Sequence, residues 1–245
     1  KDIPTKPSHF KLLNFKNKVV NHKLDITDLK KLKKVFNKIQ PDFVFHLAAQ
    51  SLVKTSYENP ETTFKSNCIG TLNILESLRN LKKKCTVVLV TSDKSYKNLE
   101  IKRGYKETDQ LGGLDPYSAS KACAEIIIQS YIQSFHKTNR IFIAVGRAGN
   151  VIGGGDWSKD RLIPDCFKSW SNKKDCIIRN PNSTRPWQHV LEPLSGYILL
   201  AKKLYREPKK YSGSWNFGPN KNDNMNVKEI TKEFIKFFGN GKIII

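Results

Sequence analysis

The chain has 245 residues, enough to bury a sizeable core, and its 43 Lys and Arg against 22 Asp and Glu give a net charge of +21. Such a charge would suit nucleic acid, but only eight of the cations are arginines and the lysines are spread over predicted helix faces and loops, which argues against a nucleic-acid partner. The five cysteines and five histidines are scattered singly and no apolar run approaches the roughly 20 residues of a membrane helix, so we expect reduced thiols, no metal site, no membrane partner and a cytoplasmic protein.

The amino-terminal two thirds alternate between strand and helix patterns. Short apolar runs indicate strands, and apolar residues three and four apart indicate helices between them. Strands are predicted at 19–24, 42–49, 87–90 and 141–145, and helices at 29–39, 61–79 and from 116 onward. This alternation predicts an α/β fold, a Rossmann-like doubly wound parallel sheet with right-handed crossovers.

Beyond residue 160 the pattern changes to short pieces. Helices are predicted at 161–170, 192–204 and 227–238, and short strands or loops at 176–179, 185–190 and 215–219. We expect a smaller substrate-binding lobe, interleaved with the sheet, within 161–245. Residues 1–160 then form the dinucleotide-binding domain.

Glycine placement bears on where a cofactor would bind. A dinucleotide-binding fold normally opens with a glycine-rich turn between its first strand and helix, and the chain has none near its amino end. We therefore expect that the amino-terminal βα unit is missing. The glycine cluster at 146–155 fits no phosphate-loop pattern, and is interpreted as a loop bordering a site.

The stretch 87–121 carries the strongest chemical signal. A buried strand at 87–90 leads into Ser92, Asp93 and Lys94, and the carboxyl end of a parallel strand is where such sheets place their chemistry. Further on, Asp115 as N-cap and Pro116 at the first position predict a helix that puts Tyr117 and Lys121 on one face. An ammonium four residues from a phenol stabilises the phenolate, so Tyr117 could take a proton from a sugar hydroxyl. Such a pair also arises by chance, and it gains weight only from its neighbours.

Five segments together resemble the extended short-chain dehydrogenase/reductase superfamily, and within it the sugar-nucleotide 4,6-dehydratases. They are residues 45–50, 91–94, 111–121, 147–157 and 185–193. Relatives that act on dTDP-glucose have an Asp-Glu pair at the strand tip, whereas this chain has Asp93-Lys94. That difference points to the branch that acts on CDP-glucose, although no side chain by itself identifies cytosine.

The resemblance implies NAD as cofactor and a sugar nucleotide as substrate. The expected cofactor-binding residues are Asp25, Ile26, Leu47, Ala48, Ala49, Gln50, Asn67, Tyr117 and Lys121, with Asp25 and Ile26 near the adenine and the last two at the nicotinamide ribose. The expected substrate-binding residues are Asn150, Arg161 and Arg185, since a guanidinium fork suits phosphate oxygens. A surface salt bridge is the alternative for both arginines.

The resemblance also implies catalytic roles. Tyr117, acidified by Lys121, would deprotonate the sugar 4-hydroxyl, and Ser92 would hydrogen-bond the forming ketone. Asp93 is the expected acid to the leaving 6-hydroxyl and Lys94 the expected base at C5. A lysine acts as a base only when its pKa is depressed from about 10.4, so Lys94 should be partly desolvated.

Two other functions remain open from the sequence. A sugar-nucleotide 4-epimerase needs Tyr117 and Lys121 but no acid and base at the strand tip. A truncated, catalytically silent nucleotide-binding module is also possible, because the glycine turn is absent. The apolar run 126–128 on the Tyr117 helix fits a homo-oligomer as well as core burial.

Overall fold

A computed structural model describes residues 5–15, 18–135, 140–220 and 223–245. The chain divides into two compact units, each discontinuous in sequence. The larger contains residues 24–149 and 192–217, and the smaller contains the described residues up to 23, 150–191 and 218–245. The roles expected for 1–160 and 161–245 stay predictions. The compact units follow other bounds because 192–217 adds two helices and a strand to the larger unit.

The larger unit is built on a four-stranded sheet in which every neighbouring pair is parallel, in the order β1-β2-β3-β8. Its strands are β1 Phe43–His46, β2 Cys85–Val90, β3 Ile141–Ala148 and β8 Gly213–Phe217. Its helices are α2 Leu29–Ile39, α3 Val53–Glu58, α4 Pro60–Phe64, α5 Gly70–Leu78, α6 Pro116–Ser134, α8 Leu191–Arg206 and α9 Pro208–Tyr211, with a π-helical segment Lys65–Ile69 and a 3₁₀ turn Asp93–Ser95.

The smaller unit consists of short strand pairs and helices. Its elements are α1 His9–Leu12, β4 Val151–Ile152, α7 Leu162–Ser171, β5 Cys176–Ile177, β6 Thr184–Arg185, β7 Gln188–His189, β9 Met225–Asn226, α10 Val227–Phe238 and β10 Ile243–Ile244. The pairs β10-β5 and β4-β7 are parallel, and β6-β9 is antiparallel. Trp170 and the thiols of Cys166 and Cys176 form its buried apolar cluster.

Helices cover both faces of the larger sheet because its central strands carry apolar side chains on both sides. Val87 and Leu89 of β2 point to the face covered by α2, α5 and α6, where Leu75 and Leu78 are fully buried. Val88 lies on the opposite face and packs against Leu200 and its neighbours on α8. This alternation is the period-two pattern of a strand buried on both sides, so the predicted doubly wound α/β fold is confirmed.

Of the two predicted early strands, the first is absent and the second is present but shorter than predicted. Residues 19–24 form no strand, and Val19 and Val20 are exposed, because a strand needs a neighbour to take up its backbone hydrogen bonds. The predicted strand 42–49 is shorter, Phe43–His46, and is buried on one face only, since Phe43 and Phe45 are exposed. The apolar run did not reveal which face lacked a covering helix.

The described helices include none that is long and apolar enough to cross a membrane. Likewise, the described residues contain no group of three or more His, Cys, Asp or Glu side chains placed to hold a metal ion.

Candidate active site

The tip of β2 turns sharply into a polar 3₁₀ turn. Ser92 is its N-cap: the hydroxyl accepts a hydrogen bond from the Lys94 backbone N–H at 3.2 Å and donates one to Asp93 Oδ1 at 3.0 Å. Ser95 closes the turn, because its hydroxyl donates to the Ser92 carbonyl at 2.7 Å. Ser92 is buried, whereas Asp93 and Lys94 are half-buried at the carboxyl edge of the sheet. The turn therefore presents an acid and an amine side by side.

The turn is fastened to the segment that leads into α6. The Gly112 N–H donates to the Ser95 carbonyl at 2.9 Å, and Tyr96 pairs with Leu111 in an isolated antiparallel bridge. Gly113 lies against the first turn of α6, where an added Cβ would come 2.4 Å from the carbonyl carbon of Ser118. Only a glycine lets the loop pass this close to the helix.

The predicted start of α6 is confirmed. Asp115 caps the helix by accepting a hydrogen bond from the Ser118 N–H at 3.0 Å, and Pro116 occupies the first turn. Tyr117 and Lys121 are both buried, and the Lys121 Nζ lies 6.0 Å from the centre of the Tyr117 ring. Helix α6 and the 3₁₀ turn at the β2 tip contact each other. The two candidate catalytic groups of the sequence thus lie in one region of the larger unit.

A narrow pocket opens where β1 and β2 end. Its lining includes His46, Ala48, Ala49, Asn67, Thr91 and Lys121. Desolvation lowers the pKa of Lys121 to about 8, against the attraction of the Glu125 carboxylate. Desolvation, and secondly the charge of Lys121, lowers the pKa of His46 to about 4, so the imidazole is neutral at pH 7. The pocket lining therefore contains a buried cation, Lys121, and a neutral imidazole, His46.

Four of the nine predicted cofactor-binding residues line this pocket: Ala48, Ala49, Asn67 and Lys121. The Asn67 side chain accepts from the Gln50 N–H at 2.8 Å and donates to the Gln50 carbonyl at 3.0 Å and to the Ser120 hydroxyl at 2.8 Å. Asn67 lies in the π-helical segment Lys65–Ile69, a distortion often found at functional sites. Ala48 and Ala49 supply small walls, so a flat ligand could approach the sheet closely.

The other five predicted cofactor residues, Asp25, Ile26, Leu47, Gln50 and Tyr117, are outside the pocket lining. Leu47 is half exposed. The carboxylate of Asp25 is exposed and accepts hydrogen bonds from the backbone and hydroxyl of Thr27, at 2.9 and 2.8 Å. Ile26 packs against the start of α5, where an added Cβ on Gly70 would come 2.5 Å from its side chain. The assignment of Asp25 and Ile26 to the adenine end stays a prediction.

The three predicted substrate residues belong to the smaller unit. The Asn150 carbonyl accepts from the Gln188 N–H at 3.1 Å, where β4 pairs with β7. Arg161, at the N-cap of α7, donates to Asp156 Oδ2 at 2.9 Å, and both side chains are about one third exposed. Arg185, in β6, donates to the Thr184 carbonyl at 3.0 Å. Their part in substrate binding stays a prediction.

Comparison with known proteins identifies the family. The model of the family described as GDP-mannose 4,6 dehydratase matches residues 6–233. The chain belongs to this family. The CDP-glucose 4,6-dehydratase of Salmonella typhimurium is 46% identical over 97% of this chain and 68% of its own length. The UDP-glucose 4-epimerase of Mycoplasma pneumoniae is 29% identical over 80% of this chain and 62% of its own length.

A solved dTDP-glucose 4,6-dehydratase has the same fold. A double mutant of the dTDP-glucose 4,6-dehydratase of Streptomyces venezuelae, crystallised with NAD, superposes with a TM-score of 0.73 at 20% identity. The match covers 90% of this chain and 65% of that one. Sugar-nucleotide 4,6-dehydratases are hydro-lyases, so the chain belongs to a family that includes enzymes of this class.

Sequence reasoning missed a buried ion pair next to the family's strand-tip turn. Arg147 on β3 and Glu125 on α6 are 1% and 0% exposed, and the guanidinium donates to both carboxylate oxygens, at 2.8 and 2.9 Å. Arg147 falls inside one of the segments that carry the family resemblance. Glu125 follows Lys121 by one helical turn, and this spacing was the signal in the sequence that could have pointed to Glu125. Nothing in the spacing of the two residues, 22 positions apart, indicated that they meet.

Proposed function

We propose that this protein catalyses the NAD-dependent conversion of CDP-glucose to CDP-4-keto-6-deoxyglucose with loss of one water. Identity of 46% to a CDP-glucose 4,6-dehydratase supports the substrate. The chain spans 68% of that relative and less than two thirds of the epimerase and of the dTDP-glucose dehydratase named above, so the proposal concerns the activity of the whole protein.

One observation carries the proposal: the 3₁₀ turn at the tip of β2. It holds the carboxylate of Asp93 and the amine of Lys94 half-buried, at the edge of the sheet that adjoins α6. Elimination of water from a sugar needs one group that gives a proton and another that takes one. A redox-only enzyme with Tyr117 and Lys121 has no need of such a pair.

The pocket at the ends of β1 and β2 is proposed to border the bound dinucleotide. Ala48 and Ala49 have short side chains there, and Asn67 is held by hydrogen bonds to Gln50 and to Ser120 of α6. Lys121 places a buried cation in the lining, which suits the hydroxyls of a ribose. Bound NAD would accept a hydride from C4 and return it to C6, so that the overall reaction is redox-neutral.

Tyr117 and Lys121 handle the first proton. The buried ammonium stabilises the negative phenolate, and the phenolate takes the proton of the sugar 4-hydroxyl. The Ser92 hydroxyl has a single hydrogen, which it donates to Asp93 in the structure. To hydrogen-bond a forming ketone it must rotate away from Asp93, and this rotation releases the carboxyl group for the next step.

Asp93 and Lys94 then perform the elimination. A 4-ketone acidifies the hydrogen on C5, and the amine of Lys94, in its neutral form, takes that proton. Asp93, which must be protonated at this stage, gives its proton to the departing 6-hydroxyl, which leaves as water. When hydride returns to C6, the Lys94 ammonium gives its proton back to C5, and the amine is neutral again. Lys94 is half-buried in the turn.

Three further residues are proposed to bind the substrate. Asn150, Arg161 and Arg185 are proposed to bind the diphosphate-linked sugar, because a guanidinium donates two parallel hydrogen bonds to phosphate oxygens. The ion pair of Arg161 with Asp156 would have to open or to share the guanidinium with the substrate.

The protein is also proposed to form a homo-oligomer through α6. Ile128 is buried in the core, but Ile126 on the same helix is 59% exposed. A second copy covering this face would remove Ile126 from water. Light scattering of the purified protein, with Ile126→Lys as the variant expected to dissociate it, tests this proposal.

Mass spectrometry of the products tests the reaction. The protein would be incubated with NAD and, separately, with CDP-, dTDP- and GDP-glucose. Loss of one water from CDP-glucose alone is the expected result. Epimers of unchanged mass would identify a 4-epimerase, and the absence of any reaction together with no binding of NAD in calorimetry would identify a catalytically silent module.

A further inference from the structure

We propose that the buried Glu125–Arg147 pair is a positioning device that holds the Ser92–Ser95 turn at both of its ends and fixes it to helix α6. This inference rests on the proposed function, because it assigns to the pair the task of placing Asp93 and Lys94 for the elimination.

The first end of the turn is held through Thr91. Its hydroxyl donates a short hydrogen bond to Glu125 Oε1, and its backbone N–H donates to the Gly146 carbonyl at 2.9 Å. Thr91 immediately precedes Ser92. The Glu125 side chain on α6 and the Gly146 carbonyl on β3 therefore fix the point where the turn leaves the sheet.

The second end is held through Tyr96, which immediately follows Ser95. Arg147 Nη1 donates to the Tyr96 hydroxyl at 2.7 Å, and that hydroxyl donates in turn to Asn216 Oδ1 at 2.6 Å. The Tyr96 ring also stacks on Tyr105 at 5.0 Å between centroids. Both hydrogen-bonding capacities of the phenol are used, so the ring has one fixed orientation.

The same carboxylate links the turn to the proton-handling helix. Glu125 and Lys121 are four residues apart on α6, and the Glu125 charge favours the protonated state of Lys121. A displacement of the pair would shift the acid and base of the turn relative to Tyr117 and Lys121. A misplacement of about 1 Å at a catalytic group can cost on the order of 100-fold in rate.

Stability alone does not account for such a pair. Removing two charges from water is expensive, and even a bidentate buried pair is often no better for stability than apolar residues of the same volume. The pair instead fixes the orientation of its neighbours, because the five N–H donors of the Arg147 guanidinium lie in one rigid plane. Four of its hydrogen bonds reach Glu125, Tyr96 and the Glu107 carbonyl.

The test uses near-isosteric variants that remove one contact at each end of the turn, Thr91→Val and Tyr96→Phe. Ser214→Ala is the matched control, because the Ser214 hydroxyl accepts from Arg147 Nη2 at 3.0 Å and donates to Glu125 Oε2 at 3.3 Å, yet lies on β8, away from the turn. All three variants perturb the same ion pair, and only the first two loosen the turn.

The first measurement is amide hydrogen exchange of the peptide covering residues 92–97, which needs no activity. We expect exchange at least several-fold faster in Thr91→Val and Tyr96→Phe, and wild-type exchange in Ser214→Ala. Equal exchange in all three variants would overturn the inference, whatever reaction the protein catalyses.

The second measurement separates oxidation from elimination with CDP-glucose and NAD. We expect kcat for dehydration to fall about tenfold or more in the two turn variants, with KM little changed, and reduced cofactor to accumulate because oxidation outpaces water loss. Ser214→Ala should show neither effect. Turn variants that lose thermal stability but dehydrate CDP-glucose at the wild-type rate would show that the pair is purely structural. An inactive wild-type protein would refute the proposed function, and the hydrogen-exchange result alone would then decide the inference.

Discussion

Replacing Lys121 by methionine should stabilise the cofactor-free protein at neutral pH while it removes catalytic activity. Lys121 is 6% exposed, and burial lowers its pKa from an ordinary value of 10.5 to about 8. Burial of this ammonium therefore lowers the free energy of unfolding. Methionine has a similar length and carries no charge, so it should relieve that cost.

The magnitude follows from the two pKa values. A tenfold change in a protonation equilibrium is worth about 1.36 kcal/mol, so a fall from 10.5 to about 8 costs about 3 kcal/mol at pH 7. Below pH 8 the lysine is protonated in the native and the unfolded states alike, and the cost is fully present. Between about pH 8 and 10.5 the unfolded state binds more protons than the native state, so native stability rises with pH and the cost disappears.

The assay is urea unfolding of the wild-type protein and the Lys121→Met variant at pH 7 and pH 9.5, followed by circular dichroism. The variant should be more stable by about 3 kcal/mol at pH 7 and by only about 1 kcal/mol at pH 9.5. Differences in packing between lysine and methionine do not depend on pH and drop out of this comparison. Lys34→Met, at an exposed position of α2, is the control for the loss of one positive charge.

A variant that is less stable than the wild type at pH 7, or a difference that stays constant between the two pH values, would refute the reasoning. The first result would mean that the ammonium makes compensating contacts in the native state. The second would mean that the lysine is protonated with an ordinary pKa in the folded protein.

Three further variants test the site and the core. Lys94→Met should lower the rate of dehydration by about 100-fold or more, while hydride transfer from C4 persists. Product mass spectra measure the first and cofactor absorbance the second. Dehydration at the full rate would exclude Lys94 as the base. Gly113→Ala should destabilise the protein by about 1–3 kcal/mol in urea unfolding, because the added methyl would meet the Ser118 backbone, and an unchanged midpoint would mean that the loop moves aside. Leu75→Ala should cost about 2–5 kcal/mol in the same assay, since its side chain is fully buried between α5 and the sheet, and a smaller loss would show that the cavity collapses.

The helix that carries Tyr117 shows what local chemistry makes predictable. Its cap, its first-turn proline and the four-residue spacing to Lys121 are all interactions between near neighbours in the chain, and the structure reproduces each of them. The apolar run of β2 was equally informative, because burial on both faces leaves no polar position in the middle of the strand. The catalytic roles assigned to these residues stay predictions.

The early strands show where the same reasoning fails. Residues 19–24 are also predicted to form a strand, yet Val19 and Val20 are exposed and the segment is not in the sheet. A strand is stabilised by hydrogen bonds to a neighbour that is remote in sequence, and its own composition does not reveal whether that neighbour is present.

The sequence by itself determined the alternation of strands and helices, the start of α6, and the presence of an acid and an amine after β2 with a phenol and a lysine on α6. Only the tertiary structure decided that Arg147 and Glu125 meet, that Thr91 and Tyr96 tie the turn to them and that Lys121 is desolvated. The physical reason is range: capping and helical spacing act over a few residues and leave a pattern in the chain. Burial and the pairing of charges 22 residues apart depend on which elements pack together, and no local pattern records that.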